Sequence, residues 1–360
     1  MARLARAEVF AADEVAIVHV MNRTVRRCFL LGDDPLTGKN YDHRKQWIDD
    51  QLIHQARFFG IDLLCQAIMS NHFHLVLRSR PDVVAEWDDS EVVRRWLMLC
   101  PLRRDEDRRP AEPTAAEIRS ICKDKDKLQQ LRSRLSDISW WMRLLSQNIA
   151  QRANRDDEEV GKFWQARYRA VRLLDETAVL ACAAYVDLNP IRAAMAESIE
   201  ASDYTSGQKR CHDLQAARAR AKAAQTEGSA AHSRRARHLA PVDLKERSAL
   251  TGPQVHQGRS RCSNKGFLPM TTAEYLQLLD WTARQNRPGK AGSTPEHIPP
   301  LLERLGVNAD IWHRLVSDFG RLFSLMAGQP RRIVEHQPRR RGSGHRYRVR
   351  QEARELFSSA

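Results

Sequence analysis

What this chain lacks narrows it before anything it contains. No stretch approaches 18 consecutive apolar residues and no signal peptide is apparent, so neither a membrane-spanning helix nor secretion is expected. The seven cysteines (28, 65, 100, 122, 182, 211 and 262) form no C-x-x-C pair and no zinc spacing. An odd set of that kind in a long chain points to a reduced, cytoplasmic protein rather than a disulfide scaffold. No Walker-type glycine loop is present, so chemistry driven by ATP is not expected. Aromatics are few, at 7%. Acidic side chains are in deficit: 45 Asp and Glu face 59 Lys and Arg, for a net charge of +14 and a pI near 9.8. That balance attracts phosphate, although an arginine-rich composition produces basic proteins generally, and charge alone names no partner.

What is present centres on His72-x-His74, in the run Ile68-Met-Ser-Asn-His-Phe-His-Leu-Val-Leu-Arg78. Residues two apart on a strand share a face, with roughly 6.7 Å of rise between them. Two imidazoles so placed can close on one small ion. Leu63-Leu64-Cys65 before and Leu75-Val76-Leu77 after both read as strands. With 13 His in the chain, one such pair is no rarity, and the motif counts only in context.

A second segment supplies that context. Trp164, Ala166, Tyr168 and Ala170 alternate with Gln165, Arg167 and Arg169, which predicts a strand with a positively charged surface. Asp175 is then a good N-cap for an apolar, Ala-rich helix over Thr177 to Leu188, with Glu176 in its first turn. The conspicuous polar side chain on that helix is Tyr185, and Asn189 stands one turn later. Of the six tyrosines, Tyr41 lies in a polar loop and Tyr168 on the apolar phase of a strand. Tyr204 reads as a packing residue, and Tyr275 and Tyr347 lie beyond this stretch. Asn189 has two readings: a site residue, or an N-cap before Pro190 at the first position of the next helix.

Four blocks in order, His19-Val-Met-Asn-Arg-Thr, Met69-Ser-Asn-His-Phe-His-Leu, Trp164-Gln-Ala-Arg-Tyr and Tyr185-Val-Asp-Leu-Asn-Pro-Ile-Arg, resemble the HUH single-strand nucleases. The resemblance is to their single-tyrosine transposase branch, nearest the REP-associated tyrosine transposases, over about residues 10 to 206. It implies that His72 and His74, with Asn189 as third ligand, hold Mg²⁺ or Mn²⁺. Asp187 would be a substitute third ligand, although it points away from Tyr185 on a straight helix. The resemblance further implies that Tyr185 attacks the scissile phosphate, leaving a 5′-phosphotyrosine and a free 3′-hydroxyl. The expected partner is single-stranded or hairpin DNA, with the protein a monomer or homodimer. A non-catalytic DNA- or RNA-binding protein on the same scaffold is the alternative. Basic side chains near the motifs, Arg23, Arg26 and Arg27 with Lys162, Arg167, Arg169 and Arg172, would hold backbone phosphates. Trp164 and Phe163 could stack unpaired bases.

The expected fold is α+β: a ferredoxin-like antiparallel sheet in β-α-β-β-α-β order with helices on one face. Strands are expected near Val15 to Met21, Leu63 to Ile68, His72 to Arg78 and from Trp164, with helices over Arg44 to Phe59, which Gly60 stops, and Lys127 to Arg155. Residues 1–205 would be the catalytic domain, with 82–125 an insertion. Residues 206–265, with 13 Lys or Arg against 4 Asp or Glu, read as a partly helical basic linker. Residues 266–330 read as three short helices, and 331–360, with 9 Arg against 3 Glu, as a flexible basic tail.

Overall fold

The computed structural model describes residues 13–35, 37–224, 236–244, 260–285, 302, 305, 307–336 and 349–358. Strand β1 (Ile17–Arg23) leads to helix α1 (Asp42–Phe58), then strands β2 (Ile61–Ile68) and β3 (His72–Ser79). Helices α2 (Pro81–Ala85), α3 (Asp89–Leu99), α4 (Ala115–Cys122), α5 (Lys125–Ser136) and α6 (Ile138–Asp156) precede β4 (Arg169–Leu173). Helices α7 (Glu176–Asp187) and α8 (Asn189–Arg192) follow, then α9 (Ser206–Ala224) and α10 (Thr272–Gln285). A short strand β5 (Met326–Ala327) completes a five-stranded sheet in the order β2-β3-β1-β4-β5.

Among the first four strands each neighbouring pair is antiparallel, with β3 inserted between β1 and β2, and β5 pairs with β4 in parallel. This is the expected α+β sheet and strand order. The expectation of helices on one face is corrected. Val18, Val20, Phe73, Leu75 and Leu77 join one core with Ile48 and Leu52 of α1 and Trp141 and Leu145 of α6. Leu64, Val76, Val171 and Leu173 join a second core with α7 and the helices beyond Thr272. The cause lies in the strands themselves: β2 is buried at every position and β3 at all but its first, so each needs cover on both sides.

Local chemistry explains other departures. The single long helix expected over 127–155 is two, because Asp137 turns extended (φ −85°, ψ 114°) and caps α6 through the Ser139 amide at 2.6 Å. Gly60 does not end α1 by a left-handed turn; a Cβ there would meet Val84 at 2.1 Å, so close packing requires the glycine. The strand expected from Trp164 begins only at Arg169, Trp164 itself making an isolated bridge to Thr24. Helices α2 and α3 of the 82–125 segment pack on α5 and α1, adding to the first core.

The described parts of residues 206–265 lie on the sheet rather than spanning free space. Arg210 of α9 donates to the carbonyls of Leu64 (2.6 Å) and Ala240 (3.1 Å). Buried Asp62 accepts from Arg78 (2.6 Å), Arg80 (3.2 Å) and Ser263 (2.8 Å), tying the 260s segment to β2 and β3. The tail expected as a flexible arm also folds where it is described. Helices Pro330–His336 and Gln351–Ser358 bury Ile333, Ala353 and Leu356 in the second core. Residues 337–348 lie outside the described residues, as does all of 286–306 except 302 and 305, and with it most of the second of the three short helices expected in 266–330. Among the described residues no helix is long and apolar enough to cross a membrane.

Candidate functional site

Strand alternation puts His72 and His74 on one face of β3, as expected, with ring centroids 4.9 Å apart. Register places them opposite Arg23 and Met21 of β1. His72 Nδ1 donates to the Asn71 Oδ1 at 2.6 Å. His74 Nδ1 shares a 2.9 Å hydrogen bond with Nε2 of His19, whose ring stacks on it at 5.1 Å. His74 Nε2 is buried with no hydrogen-bond partner.

Burial holds all three imidazoles neutral at pH 7, the form that binds a metal. It drives His19 down to about 3, helped by Arg169, and His72 down to about 4, helped by Arg23. His74 falls well below its ordinary value through burial and then the neighbouring His72 and His19.

Helix α7 brings Tyr185 to the same place, more than 100 residues along the chain. The Asp175 carboxylate caps it through the Ala178 amide at 2.9 Å, the cap the sequence predicts. The half-buried Tyr185 ring meets His74 edge-on at 5.4 Å and His19 at 5.9 Å. At Leu188 the helix kinks (φ −90°, ψ 2°) and restarts as α8, which carries the Arg192 guanidinium back over the Tyr185 ring at 4.6 Å. Burial raises the phenol pKa; the Arg192 charge and its hydrogen bond to the phenol oppose that rise. Phe319 tilts against the ring at 5.6 Å, and a Cβ on Gly320 would stand 3.2 Å from the phenol oxygen. A cavity of about 290 Å³ opens there, lined by His19, His74, Tyr185, Arg23, Arg169 and Arg192 among others.

The remaining expected residues divide. Asn189 is buried at the first position of α8, and the N-cap position belongs to Leu188, so Asn189 is not the cap. It does not line the cavity, and neither does His72, which reaches it through His74. Asp187 points away, fully buried and bonded to Gly207 (2.8 Å), Tyr275 (2.7 Å) and Ser206. Among the described residues no three His, Cys, Asp or Glu side chains are grouped to hold a metal. Tyr168 is buried with its hydroxyl 3.3 Å from Ser139, the packing role expected of it.

Of the basic set, Arg23 and Arg169 flank the tyrosine cavity. Lys162 and Arg167, both exposed, line a larger cavity of about 610 Å³ shared with Asn22 and residues of α6. Arg26 is exposed with a left-handed backbone (φ 51°); the Arg27 side chain lies outside the described residues. Arg172 is ion-paired with Glu14. Phe163 is buried, and Trp164 donates its indole N–H to the Ser146 carbonyl at 2.8 Å.

Sequence reasoning missed His19, Arg192 and the Phe319-Gly320 corner. His19 was findable: on β1 it shares the face of Met21 and Arg23, the residues opposite the histidine pair. Arg192 ends the block that contains Tyr185, but only the kink at Leu188 turns it back. No family model matches the chain, and no curated protein matches it. Among solved structures the chain is similar to a REP-associated tyrosine transposase bound to a REP hairpin, with a TM-score of 0.31 and 10% identity over 60% of this chain and 86% of that one.

Proposed function

We propose that this chain is a metal-dependent single-strand DNA transposase that cuts and rejoins DNA through a 5′-phosphotyrosine at hairpin or repeat sequences. The observation that carries the reading is the meeting of Tyr185, from α7, with His74 and His19 at one basic cavity, His72 standing directly behind His74. A core tyrosine would have no reason to point at two neutral imidazoles.

The donor set suits a divalent ion. Both histidines engage Nδ1 in hydrogen bonds, and His74 Nε2 is buried with no hydrogen-bond partner. His72 and His74 would hold Mg²⁺ or Mn²⁺, with Asn189 as the third ligand if its amide turns toward them. The ion would polarise the scissile phosphate. Imidazole donors favour Mn²⁺ over the harder Mg²⁺.

The protein's own groups do the rest. The Tyr185 oxygen forms a bond to phosphorus as the bond to the 3′-oxygen breaks; the phenol loses its proton and the departing 3′-oxygen gains one. Arg192, above the ring, favours the phenolate and stands ready for the charge on phosphate. Arg23 and Arg169 at the cavity would hold flanking phosphates. The ester bond is conserved, so the reverse reaction rejoins strands without ATP.

The test is incubation of the full chain with single-stranded hairpin oligonucleotides and Mn²⁺, followed by denaturing electrophoresis. A denaturation-resistant adduct is expected, absent with Tyr185→Phe or EDTA and retained with Tyr168→Phe. An adduct that persists in Tyr185→Phe refutes the assignment.

A further inference from the structure

We propose that His19 is a positioning residue: it accepts the Nδ1 proton of His74 and so fixes the tautomer that leaves His74 Nε2 bare for a divalent cation. The inference rests on the function proposed above and extends it to a residue outside the histidine pair.

The argument runs through proton placement. A neutral imidazole has one N–H donor and one bare nitrogen acceptor. His19 Nε2 and His74 Nδ1 face each other at 2.9 Å, close enough that one proton lies between them. If His19 owns that proton, His74 must carry its own on Nε2. That nitrogen is buried and has no acceptor. A stranded interior N–H is the rarer and costlier arrangement, whereas a bare nitrogen there can await a cation. The proton therefore belongs to His74 Nδ1, and His19 carries its own proton on Nδ1.

His72 follows the same pattern with a different partner. Its Nδ1 faces the Asn71 amide oxygen at 2.6 Å, an atom that can only accept, so His72 Nε2 is also bare. The two rings thus present the same nitrogen, each oriented by a hydrogen bond from the other. His19 adds rigidity: its ring stacks on His74 within 11° of parallel, and Phe319 meets His19 edge-on at 6.0 Å. Both His19 and His74 are buried, so water does not compete for the shared bond.

Two measurements test it. Nitrogen-15 spectra of histidine-labelled wild-type protein without metal, assigned with His74→Gln, should show His74 protonated on Nδ1 and bare on Nε2. The opposite tautomer overturns the proposal whether or not the protein binds metal. Calorimetric titration with Mn²⁺ is the second. His19→Phe keeps the stacking and loses the acceptor, so its Mn²⁺ affinity should fall about 10- to 100-fold. His19→Gln offers an amide oxygen near the position of Nε2 and should recover most of that loss. His19→Phe that is folded and binds Mn²⁺ like wild type overturns the proposal. Wild-type protein that binds no Mn²⁺ defeats the metal in the proposed function, while the nitrogen spectra still decide the tautomer. If His19→Phe fails to fold, the spectra and His19→Gln remain decisive.

Discussion

Replacing Asp187 by alanine should unfold the support behind the candidate nucleophile without touching its chemistry. Asp187 lies two residues beyond Tyr185 on α7, yet its fully buried carboxylate faces the opposite way. It accepts from Tyr275 of α10 at 2.7 Å and from the Gly207 amide of α9 at 2.8 Å, and it takes a third bond from Ser206. In Asp187→Ala, Ser206 can still turn to the Gln66 carbonyl at 3.4 Å. The Tyr275 hydroxyl and the Gly207 amide are left stranded in the interior. Two such groups at about 1–3 kcal/mol each give a loss of about 2–6 kcal/mol. At about 2 °C per kcal/mol for a chain of this size, melting should fall by roughly 4–12 °C. Asp187→Asn should cost less, because the amide keeps an acceptor for Gly207, and burial already raises the Asp187 pKa against its charged form. The assay is thermal melting at neutral pH beside Mn²⁺ titration of the same variants. Unchanged melting of Asp187→Ala refutes the packing account. Unchanged stability with lost Mn²⁺ binding would make Asp187 a ligand after all.

Gly320→Ala places a methyl group 3.2 Å from the Tyr185 oxygen, so adduct formation should slow about 3- to 10-fold while stability holds or rises, as displacements of a reacting atom by tenths of an ångström suffice; equal rates for variant and wild type would count against Tyr185 as the nucleophile. His238, buried and donating to Gln66 at 3.2 Å, has its pKa driven to about 3, first by burial and then by Lys209. The unfolded chain takes up that proton near pH 6.5 and the folded chain does not, so stability is full above that pH and falls as pH drops toward 3. The share lost by about pH 5 is about 2 kcal/mol, and urea unfolding of His238→Gln should show correspondingly less acid sensitivity. Arg169→Ala, at the cavity, should reduce the log–log salt slope of single-strand DNA binding by about 0.7. Arg172→Ala, already paired with Glu14, should leave the slope unchanged, and fluorescence anisotropy across a salt series separates the two.

Much of this molecule was written in short-range pattern. The period-two placement of His72 and His74, the Asp175 cap, and the apolar stripe that makes α1 depend on residues a few positions apart, and each formed as the sequence predicts. The order β-α-β-β-α-β followed from the same local signals, and right-sided packing of that order leaves few sheet arrangements. What the sequence could not decide was which distant surfaces would meet. Continuous burial of β2 demanded a second layer, but nothing local said that α9, Tyr275 and the helices beyond 309 would supply it. Residues 206–224 looked like a linker because their charge is high, yet Lys209 and Arg210 spend that charge on Asp49 and on buried carbonyls. Helix α1, strand β2 and 55 residues of sequence separate His19 from its partner, which is 2.9 Å away in space. The Leu188 kink, which returns Arg192 to Tyr185, is a backbone choice that Pro190 permits and tertiary packing selects. Local pattern is set by the fixed periods of helix and strand. The contacts that shape the cavity are set by which apolar faces find each other, and that is a property of the whole fold.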